Sequence, residues 1–275
     1  MPTLEPILPH VLPMLMVIVR MTGLFLFTPM LSSGSVPYQF KALLAFVFGL
    51  SVYPFVPHTG AFVPGGSLNL VEIAPMLFAE LIIGIAIGLI ASIPLLAVQM
   101  GGYVMGYQVG LSLAESFNPE LDANGSVTGD ILFYLAAFIF IASGGFDVIF
   151  ATLVDSFATV PIGSFATSDV PLALLLSVIS SGFDLAMRVA TPVMVVVSMI
   201  MLAMGFVMKT MPQINIMSIG FAAKIIAGLA IMLVSVGAIA TVTGDEIVET
   251  LSRLGVWVRS LDPVSAAPAV GGSVG

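Results

Sequence analysis

The sequence predicts an all-α fold, a polytopic integral membrane protein with about six apolar helical blocks, some kinked or broken into hairpins. Three observations predict it. Of the 275 residues, 59% are apolar. Only 8% are charged, against roughly 25% in an average soluble chain. The apolar residues also come in runs, several of which reach the length of about 20 residues that a helix needs to cross a hydrocarbon core. A soluble fold needs a polar skin, and so few charged side chains cannot supply one. Helices are expected rather than strands, because lone strands in lipid leave backbone groups unpaired and no alternating barrel pattern is visible.

The blocks follow in order. The first covers 11–31 and is interrupted by Arg20, with Pro13 and Pro29 near its ends. The second covers 42–56 and the third 70–98, with Pro94 inside it. The fourth covers 131–153. The fifth, 171–208, is too long for one straight span and contains Gly182, Asp184 and Pro192, so two half-helices or a bent hairpin are expected. The sixth covers 216–242. Connectors are marked by Gly, Pro and Ser: 32–37, 57–67, 110–129, 161–169 and 211–215. The tail, 260–275, is small and polar and is expected to be disordered. The N-terminus, Met1-Pro2-Thr3-Leu4-Glu5, is acidic where a secretory signal is basic, so the first block is expected to remain as an uncleaved span. The whole of 1–275 is expected to form a single membrane-embedded subunit. The positive-inside rule selects no orientation for six crossings. Placing Lys41 and Lys209 inside leaves Arg253 and Arg259 outside.

Composition also excludes function classes. The formal net charge is −8, and the seven basic residues are scattered, which argues against nucleic acid as a partner. There is no cysteine, so thiolate metal sites and cysteine nucleophiles are excluded. His10 and His58 lie at block ends and do not form a zinc-binding HExxH pair, and no GxxxxGK[ST] phosphate loop exists. No catalytic, cofactor or metal residues are assigned, and no cofactor is expected.

Several features remain to carry function. Gly102, Gly106 and Gly110 recur every fourth residue, as do Gly84 and Gly88, a spacing that lets helices approach closely within the chain or between subunits. Asp184 and Arg188 stand one helical turn apart and can pair. Glu72, Glu80, Asp147, Asp155, Arg20 and Lys224 also sit in or beside apolar blocks, where bundle pairing is favoured over a proton relay. The 17 methionines suit gap-filling or a deformable seal. The connector 110–129 mixes Leu111, Leu113, Phe117 and Leu121 with acids and turn residues. A solvated loop needs no such apolar set, so a re-entrant or interfacial loop and a channel plug both fit it.

The chain resembles the FliR family of flagellar type III export-gate proteins, whose counterpart in virulence secretion is the SctT family. The resemblance spans about 10–255 and rests on ordered landmarks. These are Arg20-Met-Thr-Gly23, Pro29, Val36-Pro37 and Lys41, then Glu80 and Gly84, then Gln99, Gly102 and Gln108-Val-Gly110-Leu-Ser112 leading to Asn118-Pro119. Asp155-Ser-Phe157, Pro161-Ile-Gly163, Pro192 and Pro212-Gln213-Ile-Asn215 complete them. Two positions depart from the family. Asn118-Pro119 stands where Asp-Pro is common, and Gly144-Gly145-Phe146 where a Gly-His pair is common.

The resemblance implies a structural and conduit subunit of the bacterial inner (plasma) membrane, in the flagellar basal body. It implies assembly with P-type and Q-type membrane proteins, with a B-type switch protein and an A-type export protein nearby, and unfolded flagellar proteins as cargo. It also implies that the loop containing Gln108, Gly110, Leu111, Leu113, Phe117, Asn118 and Pro119 plugs the closed channel. A virulence-type injectisome gate subunit shares the same pattern. Against these stand two rivals from other classes: a small-solute secondary transporter built on the broken third and fifth blocks, and an intramembrane enzyme, which lacks a nucleophile–base pair.

Overall fold

The computed structural model describes residues 8–29, 37–56, 70–111, 126–163, 172–210 and 216–261. Among them are seven α-helices and no strand. The helices are α1 (Leu8–Phe27), α2 (Tyr38–Val52), α3 (Leu70–Val109), α4 (Val127–Ala142), α5 (Gly145–Thr159), α6 (Leu172–Thr210) and α7 (Ile216–Ser260). A single 3-10 turn, Tyr53–Phe55, follows α2. Five helices are long and apolar enough to cross a membrane, and the bent pair α4 and α5 makes a sixth candidate. The all-α membrane architecture is therefore as the sequence predicts.

Polar residues survive in these apolar helices by turning back on the backbone. Thr22 Oγ1 donates to the Ile18 carbonyl at 2.8 Å, Thr191 to Met187 at 2.6 Å and Thr243 to Ile239 at 2.6 Å. In these three the hydroxyl proton is satisfied four residues back.

The block boundaries differ from the hydropathy reading in four places. The third helix runs on to Val109, past the expected end at 98. The fourth block is two helices, and its break falls at Gly144, whose φ of +70° an L side chain rarely adopts. The fifth block is one unbroken helix of 39 residues. Pro192 removes one hydrogen bond, but the packed stripe Val189, Ala190, Val193 and Val197 holds the helix on both sides of it. The sixth helix continues to Ser260, far beyond the expected 242. There the apolar content falls, yet the helix becomes amphipathic and buries Leu251, Leu254 and Val258 at helical spacing. Hydropathy marks where a helix turns polar on one face, not where it stops. Of the expected disordered tail, 262–275 lies outside the described residues.

Contacts divide the described chain into two compact units. The first draws on Met1–Ser92, Gly144–Ser177 and Glu249–Gly275, and the second on Ile93–Ser143 and Val178–Val248. The first unit buries Met16, Val17 and Leu24 of α1 with Ile83, Ile87 and Ile90 of α3 and Ile149, Leu153 and Phe157 of α5. Its α1 and α3 touch backbone to backbone. A Cβ at Gly84 would collide with the Arg20 carbonyl, and one at Gly23 would lie 2.5 Å from the Leu81 carbonyl oxygen. Phe25, Phe48 and Phe150 gather alongside, with Phe48 stacked on Phe150 at 5.2 Å.

The second unit buries Leu95, Val98 and Met105 of α3, Leu132, Ala136 and Phe140 of α4, and the α6 stripe from Val178 to Val197. The opposite faces of its α6 and α7 are exposed and apolar, with Leu202, Phe206, Leu233 and Val234 among them.

Candidate functional site

The polar heart of the first unit is an ion pair with no access to solvent. Arg20, on α1, and Glu80, on α3, are both fully buried. Arg20 Nε donates to Glu80 Oε2 at 2.6 Å. Nη1 donates to Ser156 Oγ at 3.0 Å, and Nη2 donates to the Val160 carbonyl at 3.3 Å. The second carboxylate oxygen, Glu80 Oε1, accepts the Gly163 N–H at 3.0 Å. The Phe157 ring covers the guanidinium at 4.2 Å, which adds a cation–π contact.

Each element presents its group for a local reason. The Gly23/Gly84 crossing brings α1 and α3 close enough for the two charges to meet. Ser156 lies one turn before the end of α5, with its own hydroxyl proton given to Leu153 at 2.6 Å, which frees the oxygen to accept from Arg20. Beyond α5 the chain turns through Gly163, whose φ of +79° aims its N–H at the carboxylate. Charge and hydrogen-bonding capacity are thus matched inside an apolar interior. The arrangement clamps α1, α3, α5 and the turn after α5 together. Nothing in it presents a nucleophile or an open position to a substrate.

The sequence reading named Arg20, Glu80, Ser156, Phe157 and Gly163 only as separate landmarks and did not foresee their convergence. A signal was present: opposite charges isolated in the first and third apolar blocks, each too costly to leave alone in such surroundings.

The second unit holds the anchors of the 110–129 connector. Gly102 and Gly106 face the return of the connector, not an open surface. A Cβ at Gly102 would lie 2.7 Å from the Gly129 Cα, and one at Gly106 would collide with the Thr128 hydroxyl. Thr128 Oγ1 donates to the Gly102 carbonyl at 3.0 Å and lies 2.8 Å from Ser126 Oγ. Gln99 Nε2 donates to Asp130 Oδ1 at 3.1 Å. On the outgoing side, α3 ends at Gly110, which has a φ of +96°. Its N–H bonds back to Gly106 and Tyr107 at 3.1 Å, and its α-carbon faces Phe221 of α7. Gln108 and Leu111 are half-buried there. Leu113, Phe117, Asn118 and Pro119 lie outside the described residues.

Asp184 and Arg188 form an ion pair at 2.6 Å, with the arginine 65% and the aspartate 58% exposed. Among the described residues, no group of three or more His, Asp or Glu side chains could hold a metal ion.

A family model for bacterial export proteins, family 1, matches residues 11–250. The chain belongs to this family. Among its relatives is the flagellar biosynthetic protein FliR of Escherichia coli K12, 29% identical over 215 residues, which are 78% of this chain and 80% of that one. The FliR of Aquifex aeolicus VF5 is 28% identical over 212 residues, 77% of this chain and 80% of that one. The FliR of Bacillus subtilis 168 is 24% identical over 247 residues, 87% of this chain and 93% of that one. Both the buried ion pair and the anchors of the connector fall inside the segment that the export-protein family shares. With its apolar helices, the chain is a membrane protein of this export family.

Proposed function

We propose that this export-family chain is a structural and conduit subunit of the flagellar type III protein export gate in the bacterial inner membrane. It assembles with P-type and Q-type membrane proteins, near a B-type switch protein and an A-type export protein, and passes unfolded flagellar subunits. It acts as one subunit and catalyses no reaction of its own. The match to bacterial export proteins over residues 11–250, with relatives named for flagellar biosynthesis, carries this reading. The structure adds support, since the transporter alternative relied on broken third and fifth blocks and both are continuous helices.

Within the gate, the segment led by Gln108, Gly110 and Leu111, with Leu113, Phe117, Asn118 and Pro119, serves as the plug of the closed channel. The anchoring of both its ends on α3 supports this role, because Gly102 and Gly106 receive residues 126–129 just before α3 gives out. The test is purification of the tagged full chain in mild detergent from cells that make the whole apparatus. Recovery of P-type and Q-type proteins in one stable complex is expected. A chain that purifies alone and transports a small solute in liposomes would overturn the reading.

A further inference from the structure

A polar seam runs along α3 and α4 of the second unit. Gln99, Tyr103 and Tyr107 stand one helical turn apart on α3, and Asp130 and Tyr134 one turn apart on α4. The two helices run antiparallel here, since Gln99 meets Asp130 while Gly102 and Gly106 meet 126–129. Tyr103 lies across the join. A Cβ at Gly129 would collide with its ring, and its hydroxyl lies near both Gln99 and the Asp130 carboxylate. Tyr103, Tyr107 and Tyr134 are all exposed, with Gln99 and Asp130 half-buried beside them.

Lipid does not suit this seam. Asp130 is met by a neutral amide, Gln99, and among the described residues no cation pairs with it. Neither helix contains a basic residue. A carboxylate left so against hydrocarbon is costly. A tyrosine belt at the headgroups does not account for the seam either. From Tyr107 to Tyr134 it extends roughly 18 Å along the pair, whereas each headgroup layer is only about 5–8 Å deep. Bulk water is also a poor match, because the same helices expose Leu96, Met100, Ile131 and Phe138 on its flanks. A folded partner helix has its backbone groups bonded internally and offers the seam none. An unfolded chain carries unpaired N–H and C=O groups on nearly every residue, and apolar side chains besides. Tyrosine meets both, with a hydroxyl that donates or accepts and a rigid apolar ring.

We infer that the seam of Tyr107, Tyr103, Gln99, Asp130 and Tyr134 is a contact track for unfolded polypeptide in transit. Its length matches about five residues of extended chain. Its hydroxyls, amide and carboxylate bond to a passing backbone whatever the sequence, and its rings cover apolar side chains as they go by. The track begins at Tyr107, three residues before α3 ends at Gly110, so it runs on from the anchors of the 110–129 connector. It rests on the export reading proposed above, and it names the wall that the cargo touches.

The photoreactive residue p-benzoylphenylalanine in place of Tyr103, Tyr107 or Tyr134, one at a time, keeps an aromatic ring at each exposed position. The full chain is made in cells with the complete apparatus, together with an export substrate fused to a stably folded domain that stalls it within the gate. Irradiation should join all three positions to the stalled substrate. The same probe at Leu96 and Phe138, on the apolar flanks, should join to it far less. Because the chain has no cysteine, Tyr103→Cys, Tyr107→Cys and Tyr134→Cys give a second measurement, disulfide formation with a cysteine in the stalled stretch, should a photoreactive variant fail to assemble. In complexes that hold P-type and Q-type proteins with stalled substrate, joining of the seam only to lipid or to a neighbouring subunit overturns the track and leaves the export reading standing. Equal joining at seam and flank does the same. An unsubstituted chain that never enters such a complex overturns both.

Discussion

At the scale of single residues, Arg20 and Glu80 set the terms for the first unit. Each neutralises the other, and between them they use Ser156, Val160 and Gly163. Removing one partner strands a charge where water cannot reach it, at a cost of about 3–5 kcal/mol. Arg20→Met or Glu80→Leu alone is expected to lower the thermal stability of the purified chain sharply. The double substitution should recover much of the loss, because an apolar pair of similar volume leaves no bare charge. Melting of the three variants in detergent checks this, and equal losses in the single and double variants would refute the clasp. Both charges were legible in the sequence as anomalies within apolar blocks. Their partnership was not, because 60 residues separate them along the chain and no local spacing rule joins positions so distant.

At the scale of elements, hydropathy located nearly every helix and misjudged several of their ends. The fifth block was expected to break at Gly182, Asp184 and Pro192. It does not, because Gly182 is buried in a packed stripe and Asp184 is paired on the helix surface. The actual break lies in the fourth block at Gly144, one residue of a Gly-Gly pair in a run otherwise apolar enough to read as continuous. Its left-handed backbone is the constraint. Gly144→Ala is expected to cost about 1–2 kcal/mol, since an added Cβ resists that conformation. Gly205→Ala, in open space on α6, should cost nothing and even favour the helix slightly. Comparing the two melting temperatures checks the claim, and an equal effect at both positions would argue against backbone strain. The extension of α7 to Ser260 was also readable in principle. Leu251, Leu254 and Val258 keep a helical period after the purely apolar stretch has ended.

At the scale of the whole molecule, the connector after α3 is where the proposed gate can be tested for tightness. Its entry and return are pinned on the same helix, by Gly110 on one side and Thr128 on the other. Deleting 111–122 is expected to leave assembly intact and to make cells that carry the complete apparatus permeable to small ions. Ion leakage measured beside recovery of the intact complex checks this, and unchanged permeability in a well-assembled mutant counts against the plug. The anchors Gly102 and Gly106 were legible as a small-residue stripe, but the sequence left open whether another subunit or this chain covers them. The answer needed Thr128 and Gly129, which lie beyond the connector.

The first unit is assembled from early and late parts of the described chain. Residues that pack in it include Met16 and Leu24, made early, and Leu254 and Val258, among the last described. During translation the early helices must therefore wait in the membrane, with one wall of their interior unbuilt, while the intervening residues emerge from the ribosome. A product terminated before residue 249 carries every early helix yet lacks Leu251, Leu254 and Val258, so the interior of this unit stays open on that side.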